Sequence, residues 1–78
     1  MRILLVEDEK TLRAQLRVAL ADAGYTVDEA DNGRDAHFQG DTEPYDAVVL
    51  DLGLPLLDGL SVLKRWRDTG RSTPVLIL

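Results

Sequence analysis

Two short apolar runs in this sequence end in carboxylates. Ile3-Leu4-Leu5-Val6 runs into Glu7 and Asp8, and Ala47-Val48-Val49-Leu50 runs into Asp51. If the two runs are neighbouring parallel strands, the three acidic side chains meet beyond their carboxyl ends, where open parallel sheets bind ligands. Like charges brought that close raise one another's pKa unless a cation intervenes. A hard, oxygen-seeking ion resolves the conflict. Magnesium suits best, because it is held by one or two carboxylates together with waters and phosphate oxygens.

Each acidic residue also has a plainer use. Asp8 stands where an N-cap belongs, and capping would not exclude metal binding. Glu7 taken alone reads as a solvated loop charge. Asp51 closes a buried apolar run with no cap or partner in view, so its chemistry has the least competition. Asp58 is expected to cap the helix that follows it. His37 is the only histidine and has neither a cysteine nor a second histidine beside which to bind metal, so a surface role is expected. Other chemistries lack their residues. The absence of cysteine excludes a disulfide framework, a thiolate zinc site and cysteine catalysis. There is no glycine-rich phosphate loop, and neither Ser61 nor Ser72 sits in a nucleophile-elbow context.

The elements that must position these residues follow from periodicity. Ile3–Val6 is apolar at every position, as in a strand buried on both faces. From Lys10 the period lengthens: Leu12, Leu16, Ala19, Leu20 and Ala23 recur at helical spacing, and Gly24 stands at the C-cap. Residues 25–30 form a second strand whose Asp28 and Glu29 mark it as a sheet edge. Residues 33–39 suggest a short helix and 40–44 a polar loop. Residues 47–50 form the third strand, with a Gly- and Pro-punctuated loop after Asp51. A helix follows in which Leu60, Leu63 and Arg67 share a face, with Val62 and Trp66 beside it. Pro74 opens a last apolar run, Val75–Leu78. Strands alternating with helices in this way predict a parallel α/β sheet with helices on both faces.

The 78 residues make one small domain. With a net charge of -5, the chain has no electrostatic footprint for nucleic acid or anionic membrane. DNA binding in a parent protein would need another domain. The opening apolar run is too short for a signal peptide or membrane span, so a cytoplasmic protein is expected.

Three segments together resemble the receiver domain of two-component response regulators. Residues 3–9, ILLVEDE, are similar to the family's opening strand and acidic pair. Residues 51–59, DLGLPLLDG, are similar to its phosphorylation segment, and residues 73–78, TPVLIL, to its fourth strand. The resemblance covers the whole chain and is closest to regulators of the OmpR/PhoB type, which carry a winged-helix DNA-binding domain. It implies a flavodoxin-like (CheY-like) sheet of order 2-1-3-4. It implies that Asp51 accepts a phosphoryl group from the phosphohistidine of a sensor histidine kinase. Asp8, Asp51 and the backbone carbonyl of Gly53 would bind Mg2+ directly, with Glu7 acting through a water. Pro55 would shape the loop, and Gly59 would permit tight packing at the next helix. The family pattern continues past the fourth strand with a Thr or Ser, a fifth strand ending in Lys, and two helices. Residues 1–78 would therefore be the N-terminal part of such a domain.

This reading makes the chain a signalling module rather than an enzyme with an external substrate. Two alternatives compete with it. One is an aspartate-nucleophile phosphotransferase, which typically places a second aspartate two positions after the first, where this chain has Gly53. The other is an interaction module whose acidic patch only binds metal. The last apolar run adds an expectation of its own, since an unpaired hydrophobic edge is a template for another chain. A homodimer, or a dimer that exchanges elements, is expected.

Overall fold

Alternation along the first strand decides the architecture. In β1 (Arg2–Val6), Leu4 and Val6 enter one core and Ile3 and Leu5 another, so every residue of the apolar run is buried. A strand buried on both faces must have helices on both. The computed structural model describes residues 1–78. It continues with α1 (Lys10–Asp22), β2 (Thr26–Ala30), α2 (Gly33–Thr42), β3 (Ala47–Leu50), α3 (Gly59–Asp68) and β4 (Val75–Ile77). The strands form one parallel sheet of order β2-β1-β3-β4, the flavodoxin-like order expected from the sequence. The charged second strand is an edge, as its composition predicts.

The two faces differ. On one, α2 and α3 close a core of nine buried residues around Leu4, Val6, Val48, Leu50, Val62 and Trp66. On the other, Ile3, Leu5 and Val49 are covered only by Leu16 and Leu20 of α1 and by Val27 and Ala47, and α1 has no fully buried residue. In β4, Leu76 and Ile77 are 64% and 41% exposed. The strand has one neighbour, so it is an edge despite being apolar on both faces.

Three local expectations are corrected. Helix α2 does not stop at Gln39 but runs to Thr42, taking in Gly40. Gly40 is there for space rather than for a turn: a Cβ would lie 2.4 Å from the Trp66 ring, and Trp66 Nε1 donates to the His37 carbonyl at 3.2 Å. The buried face of α3 is Gly59, Val62 and Trp66, with Leu60 63% exposed, because the indole filling the Gly40 notch sets the helix rotation. Finally, Glu9, not Asp8, caps α1, its carboxylate accepting from the amides of Thr11 at 3.2 Å and Leu12 at 2.5 Å. Asp8 is therefore not the helix cap.

Candidate metal and phosphoacceptor site

Sheet register creates the site. β1 and β3 pair with Leu5 opposite Val49 and Val6 opposite Leu50, and the Asp51 amide extends the ladder to the Val6 carbonyl at 3.0 Å. One residue further, Glu7 and Asp51 face each other at the strands' carboxyl ends. Asp8 follows on the β1–α1 turn. Carboxylate oxygens of Glu7, Asp8 and Asp51 lie within 4.8 Å of one another. None of the three side chains is in a salt bridge.

The three acids differ in environment. Glu7 is 4% exposed, not the solvated loop charge its position suggests. Its amide donates to the Ala30 carbonyl at 3.1 Å, and its carboxylate accepts from the Asp8 amide at 2.9 Å. Burial, then hydrogen bonding and repulsion from Asp51, push its pKa up to about 7. Asp51 moves the other way. The hydrogen bond with Glu7 and the Gly53 amide, 3.1 Å from Oδ1, hold its carboxyl below the ordinary aspartate range against the opposing effect of burial. Of the two, Glu7 is the one that burial and its neighbour's charge bias toward the protonated form, while hydrogen bonds favour the ionised form of Asp51. Asp8 is exposed and forms the open side of the cluster.

The loop after Asp51 holds it in place. The Gly59 amide donates to the Leu52 carbonyl at 2.9 Å, and a Cβ at Gly59 would meet the Asp51 carbonyl oxygen at 2.3 Å. No other residue fits, in keeping with the tight packing expected of Gly59. Pro55 accepts from the Gly33 amide at 3.1 Å, tying this loop to the start of α2. Leu56 takes the left-handed conformation (φ 70°), uncommon for leucine. Asp58 caps α3 through the Ser61 amide and hydroxyl, both at 2.9 Å. His37 lies 3.2 Å from Asp41 on α2, outside the acidic cluster. The donor set is thus three carboxylates with no basic side chain paired to them. That is oxygen chemistry suited to a hard divalent ion, with no nitrogen or sulfur ligand.

Sequence reading gave the three acids but missed two features of their surroundings. The burial of Glu7 was readable in principle, since runs of equal length ending in carboxylates place Glu7 beside Asp51 at matched register. Arg13 gave no such signal: its side chain reaches back six residues to donate to the Glu7 carbonyl at 3.0 Å.

Comparison with known proteins agrees with this geometry. The chain is 46% identical over all its residues to the virulence transcriptional regulatory protein PhoP of Salmonella typhimurium, and spans 35% of that protein's length. The receiver domain of a Pseudomonas aeruginosa sensor histidine kinase, solved with magnesium coordinated in its active-site cleft, superposes with a TM-score of 0.93 at 33% identity. The match covers 97% of this chain and 64% of that one. The structure of the Thermotoga maritima histidine kinase ThkA in complex with response regulator TrrA matches with a TM-score of 0.89 at 34% identity, covering 97% and 66%. Residues 3–78 match the response regulator receiver domain, and the chain belongs to that family.

Proposed function

We propose that Asp51 is the phosphoacceptor of a two-component response regulator, taking its phosphoryl group from the phosphohistidine of a sensor histidine kinase. The observation that carries this reading is the meeting of three carboxylates, buried Glu7, exposed Asp8 and strand-end Asp51, within 4.8 Å of one another with no basic side chain paired to them. An Asp51 carboxylate oxygen attacks phosphorus. The phosphorus–nitrogen bond breaks, and its electron pair stays on the departing histidine. A carboxylate is a competent nucleophile of this kind, giving an acyl phosphate. The Gly53 amide orients the Asp51 carboxylate. Asp8, Asp51 and the Gly53 carbonyl would hold Mg2+, with Glu7 reaching it through a water. A Mg2+ held there would neutralise charge on the transferred phosphoryl oxygens, so catalysis would be mostly positioning and electrostatics. The kinase partner is supported by the TrrA likeness and the magnesium by the Pseudomonas receiver.

In this reading residues 1–78 belong to the receiver domain of a cytoplasmic transcription regulator, as the name of the transcriptional regulatory protein PhoP supports, and any DNA binding would fall to another domain, as the OmpR/PhoB resemblance implies. No helix is long and apolar enough to cross a membrane. The central test is incubation with acetyl phosphate and Mg2+, followed by peptide mass spectrometry. A phosphoryl adduct on Asp51 is expected. An unmodified chain that still binds Mg2+ would favour a metal-binding interaction module.

A further inference from the structure

We infer that Arg13 is a positioning residue for the acidic cluster, fixing the turn that carries Asp8 without pairing with any of the cluster's carboxylates. The inference rests on the proposed metal site. Arg13 lies in the second turn of α1 with its side chain only 19% exposed. Its Nη1 donates to the Glu7 carbonyl at 3.0 Å. Its Nε lies 3.3 Å from Glu29 Oε1, while the second oxygen of Glu29 is 3.7 Å from Arg17 Nε. Glu29 belongs to β2 and pairs with Leu5, so its position is set by the sheet. The positive charge of Arg13 is thereby matched outside the cluster, and no cluster carboxylate lies within salt-bridge distance of it.

This arrangement brackets Asp8. On one side, the Glu7 amide is held by Ala30 and the Glu7 carbonyl by Arg13. On the other, Glu9 is held by capping α1. The Glu7 carbonyl stands where the strand ladder ends, and an unmatched backbone carbonyl there would leave the turn free to rotate. A guanidinium can serve the carbonyl and Glu29 together through diverging N–H groups, whereas an ammonium is a single point. Groups that orient metal ligands typically change affinity about 10- to 100-fold when removed.

Mg2+ titration calorimetry on the purified protein and its variants tests this, with the metal-free melting temperature recorded for each. Arg13→Met is expected to weaken Mg2+ binding about tenfold, and Arg13→Lys to recover part of the loss. Glu29→Gln, at a half-exposed site that should not threaten folding, is expected to weaken binding less. The double variant should be no weaker than Arg13→Met, since both act through one contact. If Arg13→Met and Glu29→Gln melt lower but bind Mg2+ as the parent does, Arg13 is a structural staple only and the inference is overturned. If Arg13→Met does not fold, Glu29→Gln and Arg13→Lys decide in the same way. A parent protein that fails to bind Mg2+ would instead overturn the metal site itself.

Discussion

The two ends of the sheet carry similar numbers of charges and treat them in opposite ways. At the amino end, Arg2 donates to Asp28 at 2.8 Å, lies 3.5 Å from Glu43, and stacks over the Tyr45 ring at 5.1 Å. Tyr45 completes the cluster by donating its hydroxyl to Asp28 at 2.7 Å, and burial together with that carboxylate raises the phenol's pKa. At the carboxyl end, Glu7, Asp8 and Asp51 crowd together with no basic side chain, although Arg13 is close enough to bind the Glu7 backbone. Charge is matched where it only holds strands together. It is left unmatched in the acidic cluster at the carboxyl end, an imbalance common at functional sites.

The comparison breaks most sharply at Asp51. Asp51→Asn should abolish phosphorylation by acetyl phosphate, read as loss of the phosphoryl adduct, because an amide oxygen is not a competent acceptor. Asp28→Asn at the other end should leave phosphorylation intact while lowering the melting temperature.

A second contrast is pH. Glu7 titrates at about 7 in the folded chain against 4.5 ordinarily. Its raised value means the folded state binds the proton more tightly. That contribution to stability is fully present below pH 4.5 and is lost as pH rises through about 7. Denaturant melts of the metal-free protein should therefore weaken over this window. Glu7→Gln should flatten the profile, since the amide cannot ionise, and Mg2+ should restore stability at neutral pH in the parent.

The amino end should respond as ordinary structure. Tyr45→Phe removes one hydrogen bond and should destabilise by about 1 kcal/mol, with Mg2+ affinity unchanged. A smaller effect separates strain from site chemistry. Leu56 is exposed and left-handed, so Leu56→Asn should raise stability by up to about 1 kcal/mol without altering phosphorylation of Asp51.

How much of this was legible depended on range. The uninterrupted apolar runs 3–6 and 47–50 read as doubly buried parallel strands and the charges of β2 as an edge, and the family resemblance supplied the full order 2-1-3-4, which the sheet has. The three acids were legible because each run stops at a carboxylate. What escaped depended on partners distant in sequence. Gly40 reads as a helix breaker until Trp66, far along the chain, is seen to need its notch. The exposure of Leu60 follows from the same indole. Asp8 and Glu9 are equally good caps by type, and only the backbone path shows that Glu9 turns inward. Arg13 spans more than a helical turn backwards to reach a carbonyl, a contact no periodicity encodes.

The most direct test of the contrast between the two ends is a Mg2+ titration by calorimetry at pH 7, repeated in buffers of different ionisation enthalpy. Binding should release protons, because burial raises the pKa of Glu7 to about 7 and a cation displaces the proton it holds. Asp8→Asn should weaken binding strongly, Glu7→Gln should remove the proton release, and Asp28→Asn should change neither. Absence of Mg2+ binding, or a loss as large from Asp28→Asn as from Asp8→Asn, would contradict the assignment of the carboxyl end as the working site.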